Sequence, residues 1–504
     1  MKWIIRSLSA IFIMVALVIS IRSIPDLANQ YKPIGACIKG AIDLDDPKPF
    51  ASAEFGGLVI GLASSGGGSR AAYLTAAVLR EMRRLPQIGG DSSNQNPLKK
   101  SLLDQIDVVS SVSGGSLASA YFVANVGTLK NSAADSDAWN DYLDKMAQSF
   151  RTREWFWQAG LNPSTWLKFV FTNYNRGVLA RDDYDASLFN GARDETLADL
   201  PNRPVLYINS FDVANSVRFV FSKQYIDTLY YQPKSALNQL SEPQDITSEN
   251  DLSFTNTDPG SIRLADAVYA SSAYPIAYPN LALIHCGQKI LFQGRLVFLA
   301  DGGLADNSGL VTLFTQIKAG LNPLAIGSKI VALYVDASLD RIDTEGTRFQ
   351  QRGIEDTYAW HDTIIGQGHE SINATVSMLQ DLGFKFIEST GAITDQLSAN
   401  WPQELTSKAD VCGSGQKACW DGLLKSGNIA MRPVVIRLGL RDLADPDLSC
   451  AEIPNPSRPF IERLKGIKTD FVLSTSDRKT LDVAARILVR CKLAGDLVDW
   501  NSIH

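Results

Sequence analysis

The sequence predicts an α/β fold: a three-layer sandwich with a mostly parallel central sheet and helices on both faces. Two observations support it. Short apolar runs of strand length alternate with longer helical patterns, and glycine-rich turns stand where a strand passes into a helix. The 504 residues are 45% hydrophobic and 20% charged, which is a globular balance with enough apolar material for a large core. This composition excludes disordered and collagen-like chains.

The predicted elements follow one another in a regular order. A strand at 57–61 runs through a glycine-rich turn into a helix at 71–82, and a strand at 106–109 runs through a second turn into a helix at 116–126. In open sheets of this kind, chemistry lies at the carboxyl ends of the strands. The remaining predictions are strands at 205–208, 217–221, 296–299, 330–335 and 434–438, and helices at 310–319 and 477–491.

The amino terminus is predicted to be an export signal. Lys2 and Arg6 precede an uncharged apolar stretch at 7–21, which is the pattern of a signal peptide or signal anchor. We therefore expect the protein to be exported, and either tethered by this segment or released by cleavage. No second stretch is long and apolar enough to span a bilayer.

The domain organisation follows from these elements and from changes in composition. The core is expected at 56–340 and is completed by a strand and helix at 432–504. Aromatic residues cluster between Trp155 and Tyr174, where they either pack a core or form a lid or docking surface at a membrane. The other predicted segments are a leader at 1–24, a linker at 25–55, and insertions at about 127–203, 223–260 and 341–431.

Charge and cysteine content narrow the partners and the compartment. The net charge is -6 and no Lys/Arg run resembles a nucleic-acid footprint, so nucleic acid is not an expected partner. The six cysteines fit an oxidising compartment without requiring it. A disulfide between Cys412 and Cys419 can close a short loop, whereas the other four are also compatible with buried free thiols. A zinc site needs a second close pair of cysteines and, usually, nearby histidine. The sequence has neither, so no metal is expected.

The first motif is the turn Gly-Gly-Gly-Ser-Arg at 66–70. Consecutive glycines let successive N–H groups converge on one anion, and the following helix adds positive potential. The residues that a P-loop or dinucleotide turn requires are missing. The alternative is a tight strand-to-helix turn without a ligand, with Arg70 in an ion pair on the helix surface.

The second motif is Ser-Val-Ser-Gly-Gly at 111–115, directly after a predicted strand. Ser113 would stand at a sharp strand-to-helix turn, as the nucleophile does in G-x-S-x-G, with Ser111 in place of the first Gly. The alternative is a helix start with Ser113 as its cap. The strand–turn–helix context favours the nucleophile.

The third motif is Asp301-Gly302-Gly303, which also follows a predicted strand. An Asp freed by two glycines can approach a serine hydroxyl, and burial raises its proton affinity enough for a base. An Asp-Gly turn is the alternative. A Ser-His-Asp triad through His361 or His369 also stays open.

In this order, the three motifs resemble the signature of the patatin-like phospholipase family. Residues 264–275 (LADAVYASSAYP) resemble its Ala-Ser-x-Ala-x-Pro segment, and residues 467–473 are similar to the closing element of bacterial members. The resemblance covers roughly residues 58–335 and, loosely, the C-terminal part, but not the insertions. The sequence departs from the family at Ser111 and at Gly309, where members often carry Pro.

The resemblance implies a patatin-like fold with inserted cap or lid segments and hydrolysis of phospholipid or lysophospholipid acyl esters. It implies that Ser113 is the nucleophile and Asp301 the base. Gly67, Gly68 and Gly114 would supply the oxyanion hole, and Arg70 would hold a lipid phosphate or support the loop. No cofactor is expected.

Two further readings of the function remain open. One is a carboxylesterase or neutral-lipid hydrolase with the same dyad. The other is an inactive, membrane-tethered lipid-binding module.

Overall fold

The structure is a computed structural model. It describes residues 35–37, 58–88, 101–148, 175–189, 195–213, 217–223, 249–251, 259–275, 278–285, 288–289, 291–292, 295–313, 316, 329–338, 385–387, 434–444, 448, 457–467 and 473–494. The predicted leader and linker, apart from residues 35–37, and the Trp155–Tyr174 cluster lie outside these residues.

The described strands form a 12-stranded mixed sheet and one separate two-stranded sheet, β9 with β10. Most pairings in the large sheet are parallel, which confirms the predicted α/β class. The strands are β1 (Gly35–Cys37), β2 (Leu58–Ser64), β3 (Ile106–Val112), β4 (Val205–Asp212), β5 (Val217–Phe221), β6 (Glu249–Asp251), β7 (Leu281–His285), β8 (Gln288–Lys289), β9 (Leu291–Phe292), β10 (Arg295–Leu296), β11 (Phe298–Asp301), β12 (Lys329–Asp336), β13 (Lys385–Ile387) and β14 (Val434–Gly439).

The described helices flank the sheet and pack against one another. The first, α1, is buried along nearly its whole length and contacts α2, α4 and α8. The helices are α1 (Gly68–Met82), α2 (Gly114–Ala124), α3 (Val126–Lys130), α4 (Asp137–Met146), α5 (Arg176–Leu188), α6 (Leu264–Ser272), α7 (Arg458–Lys465) and α8 (Thr475–Ile487). None of the helices in the described ranges is long and apolar enough to cross a membrane.

The centre of the sheet is built from strands that are apolar on both faces. Val59, Ile60 and Leu62 of β2 are fully buried, as is usual for parallel strands covered on both sides. β2 lies between β3 and β12, and β12 lies between β2 and β14. The carboxyl ends of these parallel strands therefore meet at one edge.

Strand β4 joins the parallel and antiparallel parts of the sheet. Its first half pairs in parallel with β3, up to Val112 opposite Asn209. Its second half pairs antiparallel with β11, where Asp301 lies opposite Ser210. Because β5 occupies the other edge of β4 from residue 208 to 212, β3 and β11 share one edge and run toward each other. The sequence predicts the strand before Asp301 but not its antiparallel direction.

Part of the predicted insertion at 127–203 is built into the core. Helices α4 and α5 lie in it, and the side chains of Trp139 and Tyr142 are fully buried. The Tyr142 hydroxyl donates to the carbonyl of Ala118 on α2 at 2.7 Å. The irregular structure that the polar composition predicts is thus replaced here by two helices, and the buried face of α5 includes the charged residues Arg181, Asp183 and Asp185. The domain boundaries themselves stay a prediction.

The C-terminal segment packs against α1 with buried apolar residues such as Leu481 and Ile487, and ion pairs flank this contact. The predicted helix at 477–491 is present as α8, capped by Ser474, and continues as a π-helix at Leu488–Leu493. Lys492 lies buried 2.8 Å from the Asp442 carboxylate, and Arg490 lies 3.1 Å from Glu81 of α1. Cys491 is disulfide-bonded, so a free thiol is the wrong alternative for this cysteine.

Candidate active site

Ser113 stands at the sharp turn between β3 and α2. Its φ of 50° and ψ of -121° make it the one non-glycine residue with positive φ in the described ranges. A non-glycine residue in such a conformation is strained and persists only where its surroundings hold it. Ser113 occupies the N-cap position of α2, but its side chain makes no capping hydrogen bond. The helix-cap alternative therefore does not explain this serine.

The glycines after Ser113 allow two turns to touch. A Cβ on Gly114 would lie 1.9 Å from the carbonyl oxygen of Gly68, and one on Gly115 would lie 2.6 Å from that of Ser65. Both distances are well inside van der Waals contact with backbone atoms. The serine turn and the glycine-rich turn can thus pack directly only because these two residues lack a side chain.

Asp301 meets Ser113 at the junction of β3 and β11. The Ser113 hydroxyl donates to Oδ2 of Asp301 at 2.8 Å, although 188 positions separate the two residues. The other oxygen, Oδ1, accepts the backbone N–H of Gly303 at 2.8 Å, which fixes the carboxylate plane. Oδ1 therefore stabilises the Asp-Gly turn, and Oδ2 is the oxygen that contacts Ser113.

Burial makes the Asp301 carboxyl more basic than usual. The side chain is enclosed, and this burial raises its pKa from 3.8 to about 6, against the lowering effect of the hydrogen bonds from Gly303 and Ser113. A carboxylate with such a pKa is ionised at neutral pH and still accepts a proton readily. This is the electrostatic condition that a general base requires.

The glycine-rich turn presents backbone amides beside Ser113. Gly67 and Gly68 have φ of 139° and 57°, which other residues rarely adopt. They open α1, which has no side-chain cap, and the first amides of a helix have no acceptor within it. The carbonyl of Asn307 accepts the Gly66 N–H at 3.0 Å, and this bond joins the turn to the loop after Asp301.

Arg70 lies inside the protein rather than on the helix surface. Its side chain is buried, and its Nη1 donates to the carbonyl of Ile467 at 2.8 Å. Burial lowers its pKa to about 10, opposed by the charge of Asp336, so the guanidinium stays protonated at neutral pH. The surface ion pair is the wrong alternative. Of the two predicted roles, the contact with Ile467 favours support of the loop, and the phosphate role stays a prediction.

Several polar residues at the site carry no local signal in the sequence. The Asn209 amide donates to Ser110 Oγ at 2.9 Å and to the Ser111 carbonyl at 3.0 Å, and its oxygen accepts from Thr312. The hydroxyl of Ser271 accepts the backbone N–H of Ser113 at 2.9 Å. Residue 271 lies in the segment 264–275 on which the resemblance rests, and that is the one signal that could have indicated it.

Gly309 shows why the chain departs from the family there. Its φ is 71°, whereas the proline ring holds φ near -65°. The carbonyl of Gly309 accepts from Ser110 Oγ at 2.7 Å. The local backbone therefore requires glycine and excludes proline.

The histidine alternative receives no support from the described residues. His361 and His369 lie outside them. The single proton of the Ser113 hydroxyl points to Asp301, as in a two-residue arrangement.

In serine hydrolases built on α/β sheets, the nucleophilic serine typically lies at the sharp turn between a strand and a helix, close to backbone amides at a helix N-terminus. The sequence pattern of the family described as patatin-like phospholipase matches residues 62–314, about half of the 504 residues. This chain belongs to the patatin-like phospholipase family.

Comparison with solved structures gives matches at low identity. Human GIVD cytosolic phospholipase A2 in complex with methyl gamma-linolenyl fluorophosphonate inhibitor and terbium chloride is 14% identical, with a TM-score of 0.42. That match covers 89% of this chain and 60% of the human chain. A second structure, of human GIVD cytosolic phospholipase A2, is 13% identical, with a TM-score of 0.41 and coverages of 88% of this chain and 62% of the human chain. This chain thus spans about 60% of their length, and comparison with curated proteins gives no match.

The raised pKa of Asp301 predicts a stability effect that does not depend on catalysis. A folded-state pKa above the unfolded value means that this group favours folding below about pH 4 and loses that contribution as pH rises through about 6. Asp301→Asn removes the charge and keeps the shape. We expect the variant to be more stable than wild type by about 1–3 kcal/mol at neutral pH, with no difference in acid, as measured by urea denaturation.

Asp199→Asn is the control, because its stability relative to wild type should change in the opposite direction. Hydrogen bonds from the Thr196 side chain and backbone lower the pKa of Asp199, so its replacement should reduce stability above about pH 4. Equal stability of wild type and Asp301→Asn across the pH range would contradict the burial argument.

Proposed function

We propose that the protein is a serine lipid acyl hydrolase that cleaves carboxylic ester bonds of phospholipids or lysophospholipids. The observation that carries the proposal is the 2.8 Å hydrogen bond from the Ser113 hydroxyl to the Asp301 carboxylate. Membership of the patatin-like phospholipase family supports a lipid ester as the substrate.

In the proposed mechanism, Ser113 Oγ attacks the ester carbonyl carbon while Asp301 Oδ2 takes the hydroxyl proton. The tetrahedral intermediate collapses as the C–O bond to the alcohol breaks, and Asp301 returns the proton to the leaving alkoxide. A water molecule then attacks the acyl-serine ester and gives its proton to Asp301. The second tetrahedral intermediate collapses as its bond to Ser113 Oγ breaks, and Asp301 returns the proton to Oγ, which restores the Ser113 hydroxyl and releases the fatty acid.

The proposed oxyanion hole consists of backbone amides. Gly67 and Gly68 at the start of α1, together with Gly114 at the start of α2, are assigned as donors. Support comes from the direct packing of Gly114 against Gly68 and from the absence of a side-chain cap on either helix. Each such donor is worth about 2.7–4 kcal/mol of the barrier in a comparable enzyme.

Removing either reacting group should abolish turnover of a folded protein. We expect Ser113→Ala to lower kcat by about 10⁴-fold or more and Asp301→Asn by about 10²–10⁴-fold, because one loses the nucleophile and the other its base. The measurement is product release from defined phospholipids, lysophospholipids and short-chain esters, with folding checked by circular dichroism. A fluorophosphonate probe should label wild type at Ser113 and leave Ser113→Ala unlabelled.

Different results would select different functions. Hydrolysis of short-chain esters without phospholipid turnover would favour the carboxylesterase. Failure of the probe to label wild-type protein would favour the inactive lipid-binding module. Full activity in Asp301→Asn would remove the dyad, and loss of activity in His361→Ala or His369→Ala would then favour a triad.

The pH dependence of the reaction should follow Asp301. Since the base must be ionised, kcat/KM should rise through about pH 6 and reach a plateau above it. The measurement is kcat/KM for a soluble chromogenic ester, whose own ionisation lies far from this range. A profile that is flat through this region would show that the ionisation of Asp301 does not control the rate, which would contradict its role as the base.

We also propose that the catalytic domain is extracytoplasmic and acts at a membrane surface. The basic and apolar amino terminus supports export, and the disulfide at Cys491 fits an oxidising compartment.

Export predicts that the full-length chain is accessible from outside the cytoplasm. In cells that express it, external protease should degrade the domain while a cytoplasmic marker survives. Deleting residues 1–24 should leave the chain protected and its Cys491 reduced in thiol-trapping gels. Protection of the full-length chain would contradict the proposal.

A further inference from the structure

The backbone N–H of Ser113 is held by a chain of buried hydroxyl groups. It donates to Ser271 Oγ at 2.9 Å, and Ser271 Oγ lies 2.9 Å from Ser116 Oγ. Ser116 Oγ in turn donates to Ser111 Oγ at 3.1 Å, and Ser111 Oγ donates to the Tyr207 carbonyl at 3.3 Å. The serine side chains of this chain come from α6, α2 and β3.

The direction of every bond in this chain follows from proton counting. A carbonyl only accepts, so the one proton of Ser111 goes to Tyr207. Ser116 must then donate to Ser111, and Ser271 must donate to Ser116. Ser271 therefore keeps a lone pair for the N–H of Ser113, and a single arrangement satisfies all the groups.

The three hydroxyls are fully buried, so water cannot replace a missing member without rearrangement. A buried N–H without an acceptor is costly, and a strained backbone persists only where its surroundings hold it. Ser113 has such a strained backbone, with a φ of 50°, and its N–H donates to the fully buried hydroxyl of Ser271. Ser111 is the last hydroxyl in this series before the Tyr207 carbonyl. The hydroxyl at the position where the pattern G-x-S-x-G has glycine therefore takes part in holding the turn.

We propose that Ser271 is a positioning residue that holds the Ser113 backbone in its strained conformation, supported by Ser116 and Ser111. The inference rests on the proposed function, in which Ser113 is the nucleophile. It also assigns the Ser113 amide to this support and not to the oxyanion, which leaves the oxyanion to the amides of the glycines. Ser271 touches no reacting atom and acts through the orientation of Ser113 Oγ toward Asp301.

The test compares Ser271→Ala with Ser272→Ala, its neighbour on the same helix. Ser272 is also buried, but its hydroxyl donates to the Val268 carbonyl within α6 at 2.9 Å. We expect Ser271→Ala to lower kcat and the first-order rate of fluorophosphonate labelling by about 10- to 100-fold, with KM within about twofold. Ser272→Ala should keep both rates. Ser271→Thr, which retains the hydroxyl, should restore most of the loss.

The pH profile separates positioning from a change in the base. Because Asp301 is untouched, kcat/KM of Ser271→Ala should keep its midpoint near pH 6 while its plateau falls. A folded Ser271→Ala protein with wild-type kcat would overturn the proposal. If Ser271→Ala does not fold, Ser116→Ala provides the decision. A fall of about three- to tenfold in its labelling rate supports the chain, and no fall overturns it.

Ser113→Ala, measured in parallel, distinguishes a failure of the proposed function from a failure of the positioning role. If Ser113→Ala keeps its activity, the proposed function fails and the positioning role fails with it. If Ser113→Ala is inactive and Ser271→Ala is normal, the function stands and only the positioning role is wrong.

Discussion

The meeting of two strand ends along β4 is the constraint on which the site depends. Val112 lies opposite Asn209 and Asp301 lies opposite Ser210, so β3 and β11 finish at consecutive residues of one partner strand. Backbone hydrogen bonds of a sheet fix this register much more rigidly than a loop could. A hydroxyl and a carboxylate that are far apart in the chain are therefore brought to 2.8 Å by main-chain geometry.

Glycine is required at this site for two different reasons. Gly114 and Gly115 remove side chains that would collide with the carbonyls of Gly68 and Ser65, and Gly302 does the same beside the carbonyl of Asn209. Gly67 instead supplies a φ of 139°. The first set allows close approach and the second allows an unusual backbone direction, and together they let three turns converge on one volume.

The strand ends were predictable from the sequence because each is marked locally, by glycine and serine residues directly after an apolar run or by an Asp followed by two glycines. Ser113 and Asp301 each follow an apolar run, and that pattern made them candidates, although a helix cap and an Asp-Gly turn stayed open as alternatives until the resemblance was added. The antiparallel direction of β11 was not predictable, since an apolar run reads the same in both directions. The role of Ser271 depends on contacts between three separate elements, which leave no periodic trace. The burial of Arg70 and the core helix α4 were missed for a related reason: polar composition indicates exposure on average, and tertiary packing decides each case.

Two residues of the site, Asp301 and Ser113, each lower the stability of the folded protein. The enclosed carboxylate of Asp301 costs stability at neutral pH, because burial disfavours its charge and raises its pKa. Ser113 costs stability through its positive φ. In the positioning role proposed above, the hydroxyl chain offsets the second cost and leaves the first unchanged, since the Ser271 hydroxyl accepts the N–H of Ser113 rather than donating to the carboxylate. If Ser271 had bonded to Asp301 instead, the same hydroxyl would have lowered the pKa of the carboxyl and weakened it as a base. The fold therefore holds Ser113, the proposed nucleophile, while Asp301, the proposed base, has only two hydrogen bonds within the described residues, one from Gly303 and one from Ser113 itself.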